Sequence, residues 1–111
     1  MKKPNLFLVG AAKSATTSLF DILSQSKDIF TPKVKETNFF SSDIHYNSFR
    51  EEVKIDHLYN PRIIKKAEHN IWIDSIDVYN RLYQLNNDYK FSIDASVSYL
   101  YSKDAARNIY N

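Results

Sequence analysis

A short apolar run followed by a lysine and several hydroxyl residues is the feature that most constrains how this chain folds. The run Leu6–Val9 is typical of a buried strand, and Leu19–Leu23 has the amphipathic pattern of a helix. The segment Gly10–Ser18 between them contains Lys13 and four hydroxyl residues. This order predicts a strand, a tight loop and a helix start. The first turn of a helix has unpaired N–H groups and positive partial charge, so the sequence predicts a phosphate or sulfate site.

The loop differs from the common ATP-binding loop. That loop ends in Gly-Lys-Ser/Thr, whereas Lys13 follows Ala12 and precedes the hydroxyl run. Simple capping of the helix by the same hydroxyl groups is the alternative interpretation.

Composition and charge exclude several functional classes. The chain has 111 residues, enough for one domain, and a net charge of +2, too small to indicate general nucleic-acid or membrane binding. Residues 1–40 carry six lysines and three acidic groups, so the positive excess surrounds the predicted anion site. The absence of cysteine excludes disulfides and cysteine-ligated metal, and fits a reducing compartment.

No stretch approaches the roughly 20 apolar residues of a membrane helix. The N-terminal apolar run is also too short for a signal peptide, because polar Lys13 and Ser14 interrupt it. We expect a soluble, cytoplasmic protein.

The remaining sequence predicts alternating strands and helices, and therefore an α/β fold around a parallel sheet. The predicted strands and extended segments cover residues 6–10, 29–30 and 91–94. The predicted helices cover 16–25, 45–58, 61–69, 77–85 and 103–110, the last capped by Ser102. A turn or short helix is predicted over 35–40. So few strands can bury only a small apolar core, which suggests that the chain is a fragment of a larger domain.

Three blocks of this sequence resemble the sulfotransferases that use 3′-phosphoadenosine 5′-phosphosulfate (PAPS). Gly10–Leu19 is similar to the family's Gly-x-x-Lys-Ser-Gly-Thr-Thr-Ser-Leu loop for the 5′-phosphosulfate. Lys35–Phe40 resembles the Lys-Glu-x-x-Phe-Phe segment of the carbohydrate-type and related bacterial branch. Asp94–Tyr101 is similar to a Glu-x-Ser-Pro-x-Tyr-Leu-Tyr stretch.

The resemblance implies a P-loop-like three-layer α/β fold with a parallel sheet, present as an N-terminal fragment. Residues 1–111 would be the N-terminal part of a single sulfotransferase domain, including the 5′-phosphosulfate loop and lacking the C-terminal part. The family's 3′-phosphate site would then begin beyond Asn111. Three departures from the family pattern are Ala15 for glycine, Ala95 for the lysine of heparan-type enzymes, and Val97 for proline. Ala95 argues against a heparan-type acceptor.

Sulfuryl transfer places negative charge on the oxygen that bridges sulfur and the departing 5′-phosphate, and a fixed cation there favours the transition state. Lys13 is the candidate for this catalytic cation. The resemblance makes Glu36 the catalytic base that accepts the acceptor's proton. It also implies that Lys35 and Asp94 contact the substrate, and that no metal is required. The predicted donor-binding residues are Ala12, Lys13, Ser14, Ala15, Thr16, Thr17 and Ser18.

Structural alternatives stay open for several of these residues. Glu36 alone could be a solvated surface carboxylate, and Asp94 could end a strand and cap a turn. Phe39 and Phe40 are predicted to be core in either case.

The predicted partners are PAPS as co-substrate and a small-molecule or carbohydrate hydroxyl acceptor, with no nucleic acid or membrane. The sequence leaves open the oligomeric state and whether the isolated chain is active. One alternative is a non-catalytic nucleotide-binding remnant, and a weaker one is a P-loop kinase-like phosphotransferase.

Overall fold

Strands are interspersed with α-helices and short 3-10 helices along the described residues. The computed structural model of the protein describes residues 3–10, 16–44, 51–59 and 71–111. In chain order its strands and α-helices are β1 (Leu6–Leu8), α1 (Thr16–Ser24), β2 (Ile29–Phe30), β3 (Glu51–Glu52), β4 (Ile71–Trp72), α2 (Ile76–Leu82), β5 (Phe91–Ala95), α3 (Ser98–Tyr101) and α4 (Ala105–Tyr110). Short 3-10 helices lie at Ser42–Ile44 and Ile55–Tyr59.

A three-stranded parallel sheet has β5 at its centre, between β1 and β2. Leu6 pairs with Ile93 on one side of β5, and Ile29 pairs with Phe91 on the other. Because the strands are parallel, their carboxyl ends lie along one edge. The predicted α/β class with a parallel sheet is confirmed. A separate two-stranded parallel sheet joins β3 to β4.

The central strand is buried over almost its whole length. After the exposed Phe91, the other four residues of β5 are all buried. A parallel strand with a neighbour on each side is normally covered on both faces, which accounts for this burial. The polar Ser92 is satisfied locally: its N–H donates to Asn5 Oδ1 at 2.9 Å, and its hydroxyl accepts from Asn86 Nδ2 at 2.8 Å.

Helix α2 supplies much of the apolar core. Ser75 caps it by accepting a hydrogen bond from the N–H of Asp77 at 3.2 Å, which satisfies one unpaired donor of the first turn. Helical spacing then turns Val78 and Leu82 inward. We call the buried apolar cluster around them the apolar core; its members are Val34, Val53, Leu58, Ile73, Val78, Tyr79, Leu82 and Tyr83.

The predicted core position of two phenylalanines is confirmed. Phe39 and Phe40 are partly buried and pack against the apolar core. The Phe39 ring stacks on Tyr79 with a centroid distance of 4.3 Å and an interplanar angle of 15°. This contact fixes the Lys35–Phe40 segment against α2.

Several predicted boundaries need correction. The helix predicted over 45–58 is wrong at Glu51–Glu52, which form β3. Of the described residues in and just after that range, Ile55–Tyr59 form a 3-10 helix rather than an α-helix. Pairing with β4, a strand that the sequence did not predict, overrides the polar helical pattern there. Residues 45–50 and the helix predicted over 61–69 lie outside the described residues. The strand predicted over 6–10 ends at Leu8.

The C-terminal helices are anchored by polar contacts. Ser102 was predicted to cap the last helix, but α4 begins at Ala105 and its N-cap residue is Asp104. Ser102 Oγ instead accepts hydrogen bonds from the N–H groups of Asp104 and Ala105 and stabilises the turn that leads into α4. Ser102 also donates to Asp43, and this hydrogen bond holds the pKa of the Asp43 carboxyl below its usual value. None of the helices within the described segments has the length and apolar character needed to span a membrane.

Candidate functional site

The three sequence blocks converge on the carboxyl edge of the parallel sheet. The first block begins just after β1, the second follows β2, and the third starts within β5. The Phe7 ring packs edge-on against Phe40 at 6.0 Å between centroids and lies 6.4 Å from the ring of Tyr99. Ligands of open α/β folds bind at this edge. The described residues of the three blocks therefore lie where such a fold places a site.

Most of the predicted donor loop lies outside the described residues. This applies to Ala12, Lys13, Ser14 and Ala15, and to the side chains of Thr16 and Thr17. The structure describes the elements on either side, with β1 ending at Leu8 and α1 beginning at Thr16. Ser18 is exposed on the first turn of α1. The strand and helix that flank the predicted loop are confirmed, and the roles of the loop residues stay predictions.

Gly10 is the one glycine of the chain and occupies a position that favours glycine. Its φ is +147°, which side-chain-bearing residues rarely adopt. A Cβ added there would lie 3.1 Å from Leu100 Cδ2. The first block thus passes close to the third block immediately after β1.

Lys35 and Glu36, predicted to contact the substrate and to act as the base, are both half-buried. The Lys35 ammonium lies 5.5 Å from the centroid of the Phe20 ring on α1, within range of a cation–π contact. The backbone carbonyl of Glu36 accepts a hydrogen bond from Asn38 Nδ2 at 3.4 Å. The second block therefore sits beside the helix that follows the predicted donor loop.

Asp94 is fully buried at the carboxyl end of β5 and is surrounded by hydroxyl groups. Its Oδ2 accepts from Tyr99 at 2.7 Å, Tyr79 at 2.8 Å and Thr37 at 2.9 Å, and its Oδ1 accepts from Ser96 at 2.7 Å. We call these five residues the Asp94 cluster. Its members come from the second block, from α2 and from the third block.

Burial raises the pKa of the Asp94 carboxyl above its ordinary value, and the hydrogen bonds from Tyr99, Ser96, Tyr79 and Thr37 oppose that rise. Burial also raises the pKa of Tyr79 and Tyr99, so both phenols stay protonated and can donate to Asp94.

The substrate contact predicted for Asp94 stays a prediction. A substrate could reach this carboxyl only if the hydroxyl groups around it opened.

The Lys35–Phe40 segment leads into a turn at Asn38–Ser41, in which the N–H of Ser41 donates to the Asn38 carbonyl at 3.3 Å. Polar contacts tie this turn to the third block. Asn38 adopts a left-handed conformation with φ of +53°, which asparagine tolerates better than most residues. Its N–H donates to Ser96 Oγ at 3.1 Å, and its Oδ1 accepts from Ser98 Oγ at 2.5 Å. Of the turn or short helix predicted over 35–40, the structure shows a turn that begins at Asn38.

Sequence reasoning gave no role to Thr37, Asn38, Ser96 or Tyr99. All four lie within the blocks that carry the family resemblance, and that position was the available signal. Within the described segments, no group of three or more His, Cys, Asp or Glu residues is arranged to hold a metal ion.

Comparison with solved structures identifies a similar protein. A sulfotransferase from Alicyclobacillus acidocaldarius, known from its crystal structure, shares 32% sequence identity with this chain at a TM-score of 0.73. This chain is a relative of the sulfotransferases. The alignment covers 99% of this chain and 40% of the Alicyclobacillus sulfotransferase, so the chain spans less than half the length of that relative. No protein-family model and no curated protein matches the sequence.

The sulfotransferase relationship agrees with the resemblance carried by the three blocks. The structural match extends over nearly the whole chain. It therefore includes both the elements that flank the predicted donor loop and the Asp94 cluster.

Proposed function

We propose that this chain forms part of a sulfotransferase that transfers the sulfuryl group of PAPS to a hydroxyl acceptor, with a carbohydrate as the favoured acceptor and the cytoplasm as its location. The observation that carries the proposal is that the described residues of the three blocks meet at the carboxyl edge of the sheet, in a fold similar to that of a sulfotransferase. The order of lysine and hydroxyl residues in the first block supports activated sulfate over ATP.

In the proposed mechanism, the acceptor oxygen attacks the sulfur of PAPS in line with the departing phosphate. The new O–S bond forms as the bond between sulfur and the bridging oxygen breaks, and 3′,5′-ADP leaves. Lys13 stabilises the negative charge that develops on the bridging oxygen. The hydroxyl residues of the donor loop and the N–H groups at the start of α1 hold the 5′-phosphate.

The proton of the acceptor hydroxyl passes to Glu36. A carboxylate in hydrogen-bond reach of the acceptor can accept a proton as the oxygen attacks sulfur. The position of Glu36 supports this role, because it is next to Lys35, whose ammonium lies 5.5 Å from the Phe20 ring on the helix that follows the predicted donor loop. Lys35 would orient the acceptor or the sulfonate.

The test is calorimetric binding of 3′,5′-ADP, the desulfated product, to the full 111-residue chain. Lys13→Ala should weaken binding by about tenfold or more, because it removes a charge-assisted contact to the phosphate. The matched control is Lys90→Ala. Lys90 is exposed just before β5, at the opposite edge of the sheet, and its loss should leave the affinity unchanged.

Equal losses in the Lys13 and Lys90 variants would remove Lys13 from the donor site. Tighter binding of Mg-ATP than of 3′,5′-ADP would favour the phosphotransferase alternative. Binding that depends on Lys13 without any sulfuryl transfer from PAPS would favour the non-catalytic nucleotide-binding alternative.

A further inference from the structure

We propose that Asp94 is a positioning residue that fixes the turn that follows Glu36. It acts through three hydroxyl groups, each of which links its carboxylate to one backbone N–H of the turn. This inference rests on the proposed function, in which Glu36 is the base.

Three consecutive N–H groups of the turn donate to hydroxyls of the Asp94 cluster. Asn38 N donates to Ser96 Oγ at 3.1 Å, Phe39 N to Thr37 Oγ1 at 3.3 Å, and Phe40 N to the Tyr99 hydroxyl at 3.4 Å. Each of these hydroxyls is also within hydrogen-bond distance of the Asp94 carboxylate.

The direction of these hydrogen bonds follows from the chemistry of the carboxylate. A hydroxyl has one hydrogen to donate and lone pairs with which to accept. At pH values above the raised pKa of Asp94 its carboxyl is ionised and only accepts, so Ser96, Thr37 and Tyr99 then each direct their hydrogen to Asp94. Their lone pairs are then available to the N–H groups of the turn. One buried acceptor thereby orients three separate contacts to the backbone.

Glu36 is coupled to this network through its own backbone. Its carbonyl accepts from Asn38 Nδ2 at 3.4 Å, and Asn38 is held on its other side by Ser98 at 2.5 Å. Thr37, the residue after Glu36, is fully buried and contacts both carboxylate oxygens of Asp94. The peptide that follows Glu36 is therefore held in place, which fixes the backbone from which its side chain extends.

The experiment compares amide hydrogen exchange in the turn with exchange in β5. Ser96→Ala, Thr37→Val and Tyr99→Phe should speed exchange at Asn38, Phe39 and Phe40 respectively by about tenfold relative to β5, as expected for one lost hydrogen bond. Asp94→Asn should speed exchange at all three, because an amide nitrogen donates where a carboxylate oxygen accepts. Thr37→Ser keeps the hydroxyl and should retain protection.

Two matched controls come from hydroxyls outside the cluster. Ser92 is buried on the same strand and bonds Asn86, and Tyr83 is buried and donates to the carbonyl of Ile93 at 2.9 Å. Ser92→Ala and Tyr83→Phe should lower thermal stability as much as their counterparts, yet leave the ratio of turn exchange to β5 exchange unchanged. Equal acceleration of turn exchange in the controls, or full protection in Asp94→Asn, would overturn the proposal.

Sulfuryl transfer separates this proposal from the proposed function. Asp94→Asn should lower kcat about tenfold and leave the KM for PAPS within about twofold, because the base is displaced and donor binding is not. If Glu36→Gln keeps full activity while the exchange results hold, Glu36 is not the base and the positioning role stands. If exchange in the turn does not respond, the positioning role fails whatever the activity. The exchange measurement decides the positioning role even if transfer by the chain is undetectable.

Discussion

The Asp94 cluster and the apolar core lie next to each other and share Tyr79, yet they are held together by different forces. The apolar core packs Val53, Leu58 and Ile73 against α2 by burial of apolar surface, which has no preferred direction. The Asp94 cluster is held by hydrogen bonds of 2.7 to 3.1 Å that converge on one carboxylate.

We infer that the apolar core mainly determines the stability of the fold, whereas the Asp94 cluster mainly determines the positions of its atoms. An apolar core tolerates exchange among side chains of similar volume, because what counts is the area removed from water. A hydrogen-bonded cluster fixes atoms to within a fraction of an ångström and fails when one partner is removed. The segment that carries the proposed base is attached to the second kind of region. We therefore expect substitutions in the two regions to have different consequences.

The largest change in the free energy of unfolding should come from a substitution in the apolar core. Ile73 is fully buried, and Ile73→Ala should lower the free energy of unfolding by about 2–5 kcal/mol through lost burial and a residual cavity. Urea denaturation measures this loss. The control is Ile76→Ala in α2, since Ile76 is 55% exposed and should change stability by less than about 0.5 kcal/mol. Similar losses in both variants would contradict the assignment of Ile73 to the core.

A pH-dependent effect should distinguish the Asp94 cluster from the core. Because burial raises the pKa of folded Asp94, the folded state holds a proton that the unfolded state has released once the pH exceeds the ordinary aspartate value. Asp94 thus stabilises the fold at low pH. This contribution falls by about 1.4 kcal/mol per pH unit as the pH rises from the ordinary value through the raised pKa.

Urea denaturation at several pH values tests this, with Asp94→Asn as the comparison. The asparagine variant should lack that fall in stability with pH, whereas Ile73→Ala should keep it. The same pH dependence in wild type and Asp94→Asn would show that other groups are responsible.

The smallest change in stability should come from a substitution at Ser41, which contacts the turn but is not a member of the Asp94 cluster. The buried Ser41 donates to the carbonyl of Asn38 at 3.0 Å and lies 2.8 Å from Ser98 Oγ. Ser41→Ala should cost about 0.5–1.5 kcal/mol, the value of a typical hydrogen bond, and should not alter the pH dependence of stability. A loss as large as that of Ile73→Ala would mean that the two regions do not differ as proposed.

The sequence was most informative where a local pattern decides the outcome. Apolar residues before Gly10 and the alternation around Ile93 predicted β1 and β5, and Val78 and Leu82 predicted α2 within a few residues. It was least informative at Glu51–Glu52, where pairing with a strand about twenty residues later decides the conformation. A short run of polar residues does not indicate which strand it will pair with.

The family resemblance located the candidate site but not the contacts within it. Thr37 was only a member of the second block, and Asp94, 57 positions later, was predicted to contact the substrate. Nothing in either block indicates that the threonine hydroxyl meets that carboxylate. The contact depends on β2 and β5 being neighbours in one sheet, which is a property of topology.

The sequence by itself determined the α/β class, the strand and helix that flank the predicted donor loop, and the three blocks that resemble sulfotransferases. These depend on hydrophobic period, on turn chemistry and on residue types at fixed spacing, all of which are local. Only the tertiary structure decided that Asp94 is buried and that its hydroxyl partners bind the turn beside Glu36. The burial of a side chain and the identity of its hydrogen-bond partners depend on contacts between distant segments. A local sequence pattern therefore does not predict them.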